Sequence, residues 1–175
     1  MDINDLNRRV RYAFSLDDAD VLSALQLARY EAPAESVTAW RLKEGDAGFQ
    51  PCPAGALYAL LDGLIVQRRG AREPSQANQR DTEATTAEAT IEANTKSPED
   101  TIDNNEVLKR LRIALSLKTD EVGDLITQGG GKLGRSEVNA LFRKPSARNY
   151  RRCGDQVLRW FLSGLAKNRQ SFTDQ

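Results

Sequence analysis

Residues 105–122 read NEVLKRLRIALSLKTDEV, and residues 4–21 read NDLNRRVRYAFSLDDADV. An offset of 101 positions brings Asn4/Asn105, Arg9/Arg110, Arg11/Arg112, Ala13/Ala114, Ser15/Ser116, Leu16/Leu117 and Val21/Val122 into coincidence. The same offset runs on without a gap through Val37/Val138, Ala39/Ala140, Lys43/Lys144, Cys52/Cys153, Leu57/Leu158, Leu61/Leu162, Gly63/Gly164, Leu64/Leu165 and Arg68/Arg169. That makes 16 identities over 66 aligned positions, where unrelated segments of ordinary composition give roughly 4. The chain is a tandem duplication, so one unit used twice must account for its fold.

Within that unit the apolar residues recur at helical spacing. Leu6, Val10, Ala13 and Phe14 form a first stripe, with Asn4, Arg8 and Arg11 on the polar side. Asp5–Arg9 and Glu106–Arg110 are i,i+4 pairs in the favourable order, so the arginines read as a solvated face rather than a phosphate clamp. Residues 15–18 break the helix, and Asp18, with Thr119 as its counterpart, is the expected N-cap of the next. That second helix turns Val21, Leu22, Leu25 and Ala28 inward. Pro33 suits the first position of a short third helix that buries Val37 and Trp40. A loop over 45–53 leads into a fourth helix with Leu57, Leu60, Leu61 and Leu64 as its stripe.

The second copy repeats the pattern. Val107, Leu108, Leu111, Ala114 and Leu115 line its first helix, and Val122, Leu125 and Ile126 its second. Ser136 is the expected cap of the third, with Val138 and Leu141 inward; Val157, Leu158, Phe161, Leu162 and Leu165 line the fourth. No stretch alternates as a strand does, so the expected fold is all-α: two four-helix units, 1–70 and 104–175. Gly63 lies inside a helix, where glycine costs about 1 kcal/mol against alanine. Its recurrence as Gly164 predicts close approach of another helix.

Between the units, 71–103 is read as one segment, and its stretch 72–100 holds one isoleucine and no aromatic residue. It cannot bury enough apolar surface to offset chain entropy, and reads as a disordered acidic linker. Net charge over the whole chain is zero, but its distribution is uneven. The first unit is near balance, residues 71–104 carry 3 basic against 8 acidic residues, and residues 105–170 carry 14 basic against 6 acidic. A basic lobe and an acidic connector suggest different surfaces for different partners.

Hydrophobic residues at 39% and charged residues at 29% describe a soluble globular protein. No apolar run approaches the roughly 18 residues of a membrane span, and the start, MDINDLNRR, lacks the apolar core of a signal peptide. With two cysteines, this points to a reducing, cytoplasmic setting. The chain has no histidine, which removes the commonest general base and metal ligand. No paired carboxylates stand out, so the expectation is a binding protein, not an enzyme, with no cofactor and no metal.

The phrases NNEVLKRLRIALSLKTDEV (104–122) and CGDQVLRWFLSGLA (153–166), with KEGDAGFQPCP (43–53) and LDGLI (61–65) in the first copy, resemble the YehS-like family of small bacterial proteins. The resemblance covers both copies. It implies a duplicated helical domain in a cytoplasmic bacterial protein and supplies no activity.

Three motifs bear on chemistry. GGGKL (129–133) superficially suggests a phosphate loop, but Ile126 and Leu133 stand where that pattern requires glycine and Ser or Thr, and no strand precedes it. It reads as a flexible turn. Cys52 and Cys153 each open a fourth helix, where the macrodipole could lower a thiol pKa; without histidine or a neighbouring cysteine they read as packing residues. Finally, Arg143, Lys144, Arg148, Tyr150, Arg151 and Arg152 crowd the loop between the third and fourth helices, with Lys132 and Arg135 before the third. Cations with an interleaved aromatic suit phosphate contacts and stacking. Residues 120–144 also bear a weak likeness to a helix-turn-helix with an overlong turn. The expected partner is nucleic acid, and a protein, or docking of the first copy, is the alternative for the same surface.

Overall fold

The structure, a computed structural model, describes residues 1–70 and 102–168. Among these every regular element is an α-helix: α1 (Ile3–Phe14), α2 (Asp18–Leu27), α3 (Ala34–Ala39) and α4 (Ala54–Arg69), then α5 (Asn104–Ala114), α6 (Thr119–Gln128), α7 (Arg135–Leu141) and α8 (Asp155–Lys167). The expected stripes form the core, where Leu6, Val10, Leu25, Leu57, Leu61, Leu108, Leu111, Ile126, Leu158 and Phe161 are at most 2% exposed. The first helix of each repeat ends on a serine in the left-handed region, Ser15 at φ 56° and Ser116 at φ 53°, which is the break that both copies of the sequence share.

The two repeats dock into one body with a continuous core. Within each, the second helix packs on the fourth. The first helix, however, lies more extensively against the fourth helix of the other repeat, α5 on α4 and α1 on α8, than against its own. A shift of 101 residues leaves this contact pattern unchanged, which is what two equivalent units around a pseudo-twofold axis require.

The expected close approach at the repeated glycines is present. A Cβ on Gly63 would stand 1.9 Å from the carbonyl oxygen of Ala24 in α2, and one on Gly164 would stand 1.9 Å from that of Leu125 in α6. Ala24 and Leu125 are themselves 101 residues apart, so one crossing is built twice. The turn after α6 is not the flexible one expected. A Cβ on Gly129 would meet the Trp160 carbonyl oxygen at 1.8 Å, and one on Gly131 the Trp160 ring at 2.6 Å, while Gly130 has φ +98°. The first repeat has Ala28, Arg29 and Tyr30 at these places and Ala59 opposite. Bulk has moved from the turn to the helix.

Three expected caps, Asp18, Thr119 and Ser136, are displaced. Asp17, with extended backbone, caps α2: its carboxylate accepts the Asp20 N–H (2.8 Å) and Asp20 accepts the Asp17 N–H (2.9 Å). Asp18 instead pairs with Arg11 and accepts from Thr38 Oγ1 at 2.9 Å. Thr119 is already inside α6, where Glu121 takes the Lys118 N–H at 2.6 Å. Likewise Gly134 precedes α7, Glu137 accepts its N–H at 2.8 Å, and Ser136 lies in the first turn.

The expected linker falls outside the described residues except at its end. Ile102 packs against the core and Asp103 caps α5, accepting the Asn105 N–H at 2.9 Å. The second unit therefore starts at least two residues earlier than expected.

Candidate nucleic-acid interface

The basic loop, residues 142–154, is held from beneath by Asn105. This side chain is 7% exposed and donates from Nδ2 to the carbonyls of Leu141 (2.7 Å) and Arg151 (2.9 Å), while Oδ1 accepts the Cys153 N–H at 2.8 Å. Asn4 does the same in the first repeat, donating to Trp40 (3.0 Å) and Gln50 (2.9 Å) and accepting from Cys52 N–H at 2.9 Å. Asn4 is thus a buried clamp and no part of a solvated face, a correction that follows from the three backbone groups it satisfies. Turn bonds stiffen both loops: Ala147 N–H to Lys144 O and Tyr150 N–H to Ala147 O, each 2.9 Å, match Asp46 N–H to Lys43 O (3.0 Å) and Phe49 N–H to Asp46 O (3.1 Å).

On this scaffold Arg143, Lys144, Arg148 and Arg152 are exposed and form no ion pair among the described residues. Arg151 is exposed but pairs with Glu137, whose carboxyl lies below its usual range because it accepts the Gly134 N–H and then the Arg151 guanidinium. Arg135 pairs with Asp120 at 3.0 Å. Tyr150 is half-buried and donates its hydroxyl to Asn105 Oδ1 at 3.2 Å, so only part of its ring is available for stacking. Lys132 is exposed at the other end of α7, a helix about 10 Å long. Of the eight expected residues, four gather as uncompensated cations, two are neutralised, Tyr150 serves the clamp and Lys132 stands apart.

Residues 129–134 separate α6 from a seven-residue α7. A tight helix-turn-helix joins its helices in about 3–4 residues, so this pair lacks that geometry.

The arginines of α1 and α5 also depart from a solvated face. Arg110 is 4% exposed: it bonds Glu106 Oε2 (2.9 Å) as expected, but also Asp62 of the first repeat (2.8 Å), and lies 4.7 Å over the Tyr58 ring. Asp103 N–H donates to Tyr58 Oη at 2.9 Å. At the equivalent seam between α1 and α8, Ser163 and Arg159 replace Asp62 and Tyr58, and Arg159 Nε is buried without a hydrogen-bond partner. Arg11 is likewise 4% exposed, donating to Val37 O (3.2 Å) and Asp18. Asp62 and Val37 lie 48 and 26 residues from the arginines they meet, and no local pattern signals them.

Cys52 and Cys153 are free and buried. Burial pushes both thiols up to about 12, outweighing any lowering by the nearby helix start, and their Sγ atoms donate to the carbonyls of Pro53 and Gly154 at 3.7 Å. Among the described residues no group of three or more Cys, Asp or Glu is placed to hold a metal ion, and no helix is long and apolar enough to cross a membrane.

Residues 4–70 and 104–170 each match a family described as "Protein of unknown function (DUF1456)". The chain is also 40% identical over 163 residues, 93% of each protein, to the uncharacterized protein YehS of Escherichia coli (strain K12). No solved structure matches it. With one match on each half of the duplication and a relative aligned along nearly its whole length, this chain belongs to the DUF1456 family.

Proposed function

We propose that the protein binds nucleic acid through the loop between α7 and α8, acting as a binding protein rather than an enzyme in the bacterial cytoplasm. One observation carries this reading. Both repeats build the same Asn-clamped turn, yet the first carries Arg41 and Lys43 against Glu44 and Asp46 on it, while the second carries Arg143, Lys144, Arg148 and Arg152. The fold itself does not require those cations, since a charge-balanced version of the loop forms the same turn. A rigid turn that presents unpaired guanidinium and ammonium groups fits a phosphate backbone. The part-covered Tyr150 argues for backbone contacts over base stacking.

Fluorescence anisotropy of the full chain with labelled duplex and single strands, over a series of salt concentrations, tests this. With four phosphates neutralised, log K should fall against log salt with a slope of about −4 on duplex. Changing Arg143, Lys144, Arg148 and Arg152 to glutamine should remove most of the binding. No binding at about 50 mM salt, where such contacts are strong, would sink the proposal. The same loop would then be read as a docking surface for a protein.

A further inference from the structure

The first repeat holds a second cationic site that its counterpart in the second repeat lacks. A cleft of about 470 Å³ is lined by Arg8, Arg11, Tyr12, Ser15, Leu16 and Arg41, within the range of small-molecule sites. Four guanidiniums, of Arg8, Arg9, Arg11 and Arg41, share two carboxylates here. Asp5 is taken by Arg9 at 2.9 Å and lies 3.9 Å from Arg8; Asp18 is taken by Arg11 and lies 3.9 Å from Arg41. Arg8 and Arg41 therefore have no close ion pair among the described residues. Arg8 is anchored by donating from Nη1 to Leu42 O at 2.9 Å. Arg11 forms a buried wall, and its Nε has no hydrogen-bond partner. Two of the carbonyls that end α1, those of Tyr12 and Arg11, accept the Ser15 and Leu16 N–H groups.

The chain supplies its own comparison. Shifted by 101 residues, Arg8, Tyr12, Asp18 and Arg41 become Lys109, Ile113, Thr119 and Phe142. There the Arg112 guanidinium is covered by the Phe142 ring at 4.7 Å and donates from Nε to Leu117 O at 3.1 Å. An arginine that bonds a backbone carbonyl is thus common to both repeats, buried as Arg11 and half-buried as Arg112. The added guanidinium of Arg41 and the ring of Tyr12, 62% exposed, belong to one repeat only.

We propose that this cleft binds a nucleoside monophosphate. Arg8, Arg41 and the Ser15 hydroxyl receive the phosphate, and the base lies against Tyr12. Paired guanidiniums match phosphate oxygens, and a tyrosine face stacks on any base. The same chemistry is offered by a free nucleotide or by the 5′-phosphorylated end of a single strand. The site does not depend on the loop between α7 and α8.

The test is a titration of the full chain, followed by amide NMR shifts, with AMP, adenosine and inorganic phosphate. AMP should give saturable shifts at Arg8, Arg11, Tyr12, Ser15 and Arg41, and adenosine should bind about tenfold more weakly or less. Arg8→Gln/Arg41→Gln should cost AMP about tenfold or more, and Arg41→Phe, which copies the second repeat, should do likewise. Tyr12→Ala should weaken AMP and leave phosphate unchanged. The loop variant Arg143→Gln/Arg148→Gln should bind AMP as the wild type does, which separates this site from the nucleic-acid surface. In that background, a 5′-phosphorylated strand binding tighter than AMP assigns the strand end, and equal affinity assigns the free nucleotide. Absence of saturable shifts at these residues up to about 10 mM AMP, or undiminished binding by a folded Arg8→Gln/Arg41→Gln variant, would overturn the proposal.

Discussion

Replacing Gly63 by alanine sets two effects of opposite sign against each other. Helix propensity favours alanine by about 1 kcal/mol. Packing opposes it, because the new Cβ would stand 1.9 Å from Ala24 O and 2.5 Å from its carbonyl carbon. A relaxed carbon–oxygen contact needs about 3.3 Å, so α2 and α4 must part by roughly 1.4 Å. The atom met is backbone and cannot rotate away. Leu25, Leu57, Leu60, Leu61 and Leu64, each 1% exposed, belong to the two helices that would separate, and a gap of that size forfeits a large share of each contact. Overpacking of this kind costs about 3 kcal/mol, leaving a net loss of about 2 kcal/mol after the propensity gain. Urea denaturation followed by circular dichroism should place the midpoint about 1 M lower, for a slope of about 2 kcal/mol per molar. Gly164→Ala, against Leu125 O at 1.9 Å, should behave alike. Gly123 in α6 is the control, since a Cβ there meets only Val138 Cγ2 at 3.7 Å; its alanine variant should gain about 1 kcal/mol. If Gly63→Ala raises the midpoint as Gly123→Ala does, the close crossing is not what holds glycine there.

Asn4→Ala or Asn105→Ala would leave two carbonyls and one N–H without partners, and each should lose about 2–4 kcal/mol in the same denaturation assay. Asp62 gives a pH signature: burial raises its carboxyl above 3.8 by more than Arg110 lowers it. The folded protein thus holds a proton that the unfolded chain has released, and the contribution of Asp62 to stability falls as pH rises through that window. Relative to Asp62→Asn, the wild type should therefore gain stability as pH falls from neutral toward 3.8, and parallel melts with no such divergence would contradict the assignment. Cys52 and Cys153, with thiols near 12, should have on the order of 10⁻⁴ thiolate at pH 8. A chromogenic disulfide reagent should label them only as fast as the protein opens; rapid labelling of the native protein would count against the buried, packing role.

Local periodicity determined a large part of this molecule. A stripe of leucines at 3.6-residue spacing has one way to leave water, so eight helices and their inward faces were legible, and the duplication doubled every signal. It also singled out Gly63 and Gly164, because a glycine that recurs inside a helix against its propensity must be relieved of a clash. The partners of polar groups were decided only by tertiary structure. Asn4 and Arg11 sit on the polar side of α1 by sequence, yet they bury because carbonyls 26 to 46 residues away need donors. Arg110 reaches Asp62, 48 residues off, and Arg8 and Arg41 line one cleft only once the chain has folded. Periodicity encodes which side of a helix avoids water, through an effect that is non-directional and additive in area. A hydrogen bond or ion pair depends on one distant atom arriving within about 3 Å, and that distance exists only once the helices have packed.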